Sequence, residues 1–276
     1  MAALETAVST RRIARQTPKG AQEVTADMYI DAVLAKYTVP RGPTSPAENL
    51  GNAVAGPLRL WAGQHLSALQ YSGSYAKETA VRGTSDVDVF ISLKSDTPNT
   101  LQEIYESLFS LASDNGWSPR RQNVSVGVTV NGTRGDLVAG KAQAGYQNYH
   151  SLYFRKRDSW KQTNVALHVD TVKNAGRSKE IRALKIWRML HGLDFPSLYL
   201  ELFTIRSLFG RPHGALATNV THALRAIETS LVSTNIQDPS NTNNVLSDDL
   251  TTAEKQRIAS VAATSARQHQ WEKIIW

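Results

Sequence analysis

Residues 73–88 read Gly73-Ser74-Tyr75-Ala76-Lys77-Glu78-Thr79-Ala80-Val81-Arg82-Gly83-Thr84-Ser85-Asp86-Val87-Asp88, and a largely apolar run carries on from Val87 to Leu93. In a strand, residues two apart point to the same face with Cα atoms roughly 6–7 Å apart. Asp86 and Asp88 therefore present two carboxylates side by side. Hard divalent cations such as Mg²⁺ take oxygen ligands and are usually held by one or two carboxylates plus substrate phosphates. The Gly73-Ser74 turn upstream offers backbone N–H groups and a hydroxyl to a triphosphate. Together these residues point to nucleotidyl transfer supported by Mg²⁺, or by Mn²⁺ in its place.

Two-metal transfer calls for a third carboxylate, to place one cation and help the attacking hydroxyl lose its proton. Two strand-like segments, 124–130 and 134–138, are joined by Asn131-Gly132, the strongest short hairpin signal. The second carries Gly135-Asp136-Leu137-Val138, so Asp136 is the preferred third acid, anchored by Leu137 and Val138. The alternative is Asp170 in Leu167-His168-Val169-Asp170, whose alternation also allows a strand. For either, the ordinary role is that of a surface aspartate at a strand end.

A helix beginning near Ser178 should bury Ile181, Leu184, Trp187 and Leu190 and carry Lys179, Arg182 and Lys185 as a basic stripe. The functional expectation aims Lys185 at a β- or γ-phosphate; the plain one is a solvated helix face. Ser197, after Pro196 at the next helix start, offers a hydroxyl and a helix N-terminus to phosphate, or is simply a first-turn residue. His168 is a potential substrate contact, but the seven histidines lack metal-ligand spacing and imply no zinc site. Trp61, Trp187 and Trp276 are assigned to core or helix packing.

The rest of the chain frames these residues. Its 276 residues suit one large domain or two intimate lobes, with no cysteine for disulfides, thiolate zinc sites or thiol nucleophiles. The formal net charge is +7, and 141–191 holds eleven Lys/Arg against three Asp/Glu. That excess suits a polyanionic partner, nucleoside triphosphates or nucleic acid. No stretch reaches the roughly 20 apolar residues of a membrane helix, so a soluble, cytoplasmic protein is expected.

Residues 1–20 read as a basic flexible tail. A helix over 25–37 is broken at Pro40-Arg41-Gly42-Pro43. Another starts at Ser45-Pro46-Ala47-Glu48, with Ser45 as cap and Glu48 completing a capping box. Its pattern runs on through Leu66, with Pro57 as a kink. Further helices are expected at 100–111, 178–191, 197–209, 215–231 and 252–270, the last opened by a Thr251–Glu254 capping box. The polar loop 233–249 is too long for a simple connection and is expected to be functional or mobile. The division that follows is a tail at 1–20, a catalytic core at 21–175 and a helical lobe at 176–276.

At these residues the chain resembles the polymerase-β nucleotidyltransferase superfamily. The resemblance is strongest to its template-independent branch of oligoadenylate synthetases, cGAS, the bacterial CD-NTases of antiphage signalling, and archaeal-type CCA-adding enzymes. The matching motifs are Gly73-Ser74 with Thr79, Gly83 and Ser85-Asp86-Val87-Asp88; Gly135-Asp136-Leu137-Val138; the segment Trp160 to His168, with Val165 where proline is common; Ile181 to Trp187; Ser197 to Leu202; and Gln237-Asp238-Pro239-Ser240-Asn241. The resemblance covers about 50–276. It implies an α/β fold: a mixed-sheet nucleotidyltransferase core lobe followed by an all-helical C-terminal lobe, with the nucleotide in the cleft between them.

It further implies that Asp86, Asp88 and Asp136 are catalytic metal ligands, that Gly73 and Ser74 touch the triphosphate, and that Lys185 and Ser197 touch phosphate from the helical lobe. The activity implied joins nucleoside triphosphates into a cyclic or linear oligonucleotide second messenger in antiphage defence. A nucleic-acid or protein activator and a downstream effector for the product are implied with it. Alternatives are addition of nucleotides to an RNA 3′ end, and transfer to a small molecule or protein. A silent nucleic-acid-binding module is disfavoured, because packed like charges repel unless cations neutralise them. Two departures stand out: no zinc-thumb cysteine as in animal cGAS, and a final Ile274-Ile275-Trp276 rather than a small terminal residue.

Overall fold

The computed structural model describes residues 25–276; the tail expected at 1–20 lies outside the described residues. Helix α1 (Ala26–Lys36) is capped by Thr25, whose side chain accepts from Met28 N. Helix α2 (Pro46–Ala62) starts at Ser45 as expected, with Pro46 in its first turn, and Pro57 sits inside it without ending it. Only half of the expected capping box forms. Ser45 Oγ accepts from Glu48 N at 3.2 Å, but Ser45 N is already taken by Gly42 O at 2.9 Å.

The helical pattern does not continue through Leu66. Gly63 takes φ +51°, a left-handed value that stops α2. The chain then leaves as strand β1 (Leu66–Tyr71), which pairs antiparallel with β2 (Val87–Leu93). Between them lies a single helical turn, α3 (Gly73–Ala76).

Helix α4 (Leu101–Asp114), closed by a full Thr100–Glu103 capping box, is followed by β3 (Arg120–Arg121), β4 (Val126–Val130) and β5 (Thr133–Ala142). The Asn131-Gly132 hairpin is present between β4 and β5. Two further strands, β6 (His150–Phe154) and β7 (Ser159–Thr163), extend the sheet from the far end of β5. The order β1-β2-β5-β4-β3 is mixed, because β2 and β5 run parallel while the other pairs are antiparallel. Leu50, Val54 and Leu58 of α2 and Ile104 and Leu108 of α4 pack with Ile91 and Leu137 of the sheet into one apolar core.

The remaining elements are α5 (Val165–Asn174), α6 (Ser178–Leu190), α7 (Ser197–Ser207), α8 (Leu216–Ser230), a small hairpin β8 (Gln237–Asp238) and β9 (Asn241–Val245), and α9 (Thr252–Ala266). The polar segment 233–249 is thus folded, and α9 is shorter than the 252–270 expected. A second core gathers Leu184, Trp187, Tyr199, Phe203, Leu224 and Ile258. It also takes in Ile30, Val33 and Leu34. Helix α1, assigned by sequence to the sheet lobe, therefore packs in the helical lobe. Of the tryptophans, Trp187 is fully buried, whereas Trp276 is 45% exposed rather than internal. No described helix is long and apolar enough to cross a membrane.

Candidate active site

The turn after β1 is built around a close contact. Ser72 N donates to Asp88 O at 2.9 Å, which pins the turn to β2. Gly73 takes φ +56°, and a Cβ built on it would lie 1.7 Å from Asp88 Oδ2. Only glycine satisfies both demands. The Asp88 carboxylate also accepts a hydrogen bond from the Ser74 backbone.

Parallel pairing of β2 with β5 sets Asp88 directly opposite Asp136, with Asp86 one residue ahead of β2. Burial, then the charges of Asp136 and Asp86, push Asp88 up to about 7, against the opposing pull of Lys77. Burial and the Asp86 charge likewise raise Asp136, while a hydrogen bond from Gln122 works the other way. Gln122 Nε2 donates to Asp136 Oδ1 at 2.8 Å, and Arg134 Nη2 to Asp86 Oδ2 at 3.0 Å. Asp170 is excluded from this group: Asn164 caps α5 by accepting from Leu167 N at 3.0 Å, and Asp170 lies exposed on that helix.

Among the described residues, no three His, Cys, Asp or Glu side chains already stand as a closed metal cage. Asp86 and Asp136 are instead held by Arg134 and Gln122. The donor chemistry still fits a hard divalent cation. It is all carboxylate, it is half-buried at Asp88, and its ionisation is opposed by like charge that a cation would relieve.

Beside Asp88 opens a cavity of about 210 Å³ lined by Gly73, Lys77, Phe90, Leu152 and His168. His168 Nε2 lies 2.6 Å from Asp238 Oδ1 and 3.0 Å from Ser240 Oγ, so β8 of the helical lobe holds it in place. Burial works to raise Asp238, but the hydrogen bond and charge of His168, with the Ser240 bonds, outweigh it and bring Asp238 down to about 2.

Two expected phosphate contacts are placed elsewhere. Lys185 is buried, and its ammonium reaches Glu201 Oε1 at 2.6 Å, Thr79 Oγ1 at 2.9 Å and Thr79 O at 3.2 Å. Its three donors are thereby used. Burial lowers it to about 8, with Glu201 raising it and Lys77 lowering it further. Ser197 Oγ accepts from Arg188 Nη2 at 3.1 Å and does not line the cavity. The cationic group that does line it is Lys77, which sequence reasoning passed over although it lies inside the decisive motif.

The fold agrees with known proteins. A nucleotidyltransferase domain family matches residues 65–120, the stretch that carries the Gly-Ser turn and both strand aspartates. The cyclic AMP-AMP-AMP synthase of Escherichia coli (strain MS 115-1) is 26% identical over 209 residues, 70% of this chain and 65% of that protein. The chain thus aligns with just under two thirds of that relative's length. The CD-NTase CdnG of Bradyrhizobium diazoefficiens, solved in complex with GTP, superposes with a TM-score of 0.74 at 12% identity, covering 89% of this chain and 90% of that one. The chain has the CD-NTase fold and carries a segment that matches the nucleotidyltransferase domain family. The E. coli MS115-1 CdnC:HORMA-deltaN complex gives a TM-score of 0.68 at 22% identity, covering 88% and 90% of the two chains. Sheet lobe and helical lobe are therefore both shared with CD-NTases, not the aspartate motif alone.

Proposed function

We propose that the protein joins nucleoside triphosphates into a cyclic or linear oligonucleotide second messenger, with pyrophosphate as the leaving group, in antiphage defence signalling. The observation that carries this is the direct opposition of Asp88 and Asp136 across β2 and β5, with Gly73 pressed against Asp88. Asp86, Asp88 and Asp136 would hold divalent cations, Mg²⁺ or Mn²⁺. Bound there, the cations supply charge stabilisation for the transferring phosphoryl group and its leaving group.

This chain's own residues supply the rest. Gly73 and Ser74 present the turn to the triphosphate. Asp136, set directly opposite Asp88, takes the proton from a ribose hydroxyl as that oxygen attacks the α-phosphorus. The bond from the α-phosphorus to the pyrophosphate oxygen then breaks. The cavity beside Asp88 takes a nucleotide, with His168 fixed by Asp238 on one wall. A protein or nucleic-acid activator is part of this reading; the known CdnC complex with a HORMA protein supports the protein case.

The test incubates purified protein with all four NTPs and Mg²⁺ or Mn²⁺, then analyses phosphatase-resistant products by mass spectrometry. Short oligonucleotides from NTPs alone, or after adding an activator, are expected; products only on added RNA would favour a tailing enzyme instead. The double variant Asp86→Ala/Asp88→Ala should make nothing while remaining folded. Asp136→Ala should be inactive and Asp170→Ala active; the reverse pattern would overturn the assignment of Asp136.

A further inference from the structure

We propose that Glu201 is a positioning residue for triphosphate binding: its one carboxylate, entering from the helical lobe, sets the Lys77 ammonium against the cleft beside Asp88. The proposal rests on the nucleotidyl-transfer reading above.

Glu201 is fully buried on α7. Its Oε2 lies 2.5 Å from Lys77 Nζ, while Oε1 lies 2.6 Å from Lys185 Nζ and accepts from Thr79 Oγ1 at 2.8 Å. Lys77 and Thr79 come from the segment after the Gly-Ser turn, Lys185 and Glu201 from α6 and α7. One carboxylate therefore ties the phosphate-facing turn to the helical lobe.

The two lysines are not equivalent. Lys185 spends every donor on Glu201 and Thr79. Lys77 has one carboxylate partner and lines the same cavity as Gly73 and Asp88. An ammonium carries three donors, so Lys77 keeps two for a ligand in the cleft. Two cations share the one Glu201 carboxylate, and Lys77 also acts on Asp88 from the same cavity wall. A triphosphate arriving at Gly73 and Ser74 meets the Lys77 ammonium there, once cations have taken up the Asp88 charge. Without the Glu201 carboxylate, the two ammoniums would face each other, and the less tethered Lys77 would leave its place at the cleft.

A purely structural ion cluster would predict lost stability alone, so the experiment separates stability from phosphate recognition. Dissociation constants for a non-hydrolysable ATP analogue and for inorganic tripolyphosphate are measured by calorimetry, alongside melting temperature. The variants are Glu201→Gln and the double Glu201→Leu/Lys185→Met. The double removes one buried charge of each sign and is expected to melt closer to wild type than Glu201→Gln. Both variants are expected to bind the ATP analogue and tripolyphosphate roughly 10- to 100-fold more weakly, by a similar factor for each ligand. Wild-type affinity for tripolyphosphate in a folded Glu201→Leu/Lys185→Met protein overturns the positioning role. Wild-type protein that binds neither ligand overturns this proposal and the nucleotidyl-transfer reading together. Wild-type protein that binds both, with the variants binding equally well, overturns only the role of Glu201.

Discussion

The backbone of Gly73 runs so close to Asp88 that the carboxylate occupies the space a side chain at position 73 would need. The acid therefore keeps its place only while position 73 carries no side chain. Gly73→Ala should push Asp88 off its position opposite Asp136 and strain the left-handed turn. Misplacing a reacting group by about 1 Å can cost on the order of a hundredfold in rate. Product formation is expected to fall by about that factor or more, measured by mass spectrometry. Wild-type turnover in this variant would show that the contact has no part in catalysis.

Asp88 is held near pH 7 from its usual 3.8 by burial and by its acidic neighbours. Between about pH 4 and 7 the folded protein keeps a proton that the unfolded chain has released. Stability must therefore fall as pH rises through that window. Asp88→Asn should melt above wild type at pH 8, and the gap should shrink toward pH 5. Mg²⁺ should raise the wild-type melting temperature at pH 8 and do so much less in Asp88→Asn. Parallel pH profiles in calorimetry would contradict this account of the site.

Two lysines on α6 should behave in opposite ways. Lys179 is 62% exposed and pairs with Asp31 at 2.8 Å across the surface, an arrangement worth about 0–1 kcal/mol. Lys185 is buried against Glu201. Lys77 would still pair with that carboxylate, but removing Lys185 leaves the Thr79 carbonyl without its donor in the interior, and a buried acceptor left unpaired costs about 1–3 kcal/mol. Urea denaturation of Lys179→Ala and Lys185→Ala should reproduce this contrast.

Asp238 carries the opposite pH signature from Asp88. Its folded value of about 2 lies below its usual 3.8, so its stabilisation is present above about pH 4 and lost as the pH falls toward 2. Asp238→Asn should flatten that acid limb. It should also speed amide exchange at Ser240, whose N–H donates to Asp238 Oδ1 at 2.8 Å.

What could be read from the sequence divides along physical lines. Asp86, Asp88 and Asp136 were legible because strand alternation is local and the Asn131-Gly132 hairpin sets β5 in register. Asp170 was ambiguous because four residues of alternation also fit the face of a helix; the Asn164 cap was the signal that decides. The boundary before strand β1 is hidden because Leu66 keeps the helical spacing of Leu58 and Trp61, and only Gly63 marks the stop. The role of Lys185 could not be inferred from its helix, since the partners that bury it lie 16 residues away at Glu201 and 106 away at Thr79. Periodicity shows which face of a helix turns inward, not which charge waits there.

The placement of α1 bears on how the chain folds. Tyr29 and Tyr37 hydroxyls donate to Ile275 O and Trp276 O, both at 3.0 Å, so the first described helix and the final residues close on one another. The sheet lobe is thereby an insertion between two parts of the helical one. During synthesis the mixed sheet can assemble while α1 waits for its partners, and closing that long loop comes last. The cleft, bounded by both lobes, is framed only once α1 has docked against Ile275 and Trp276.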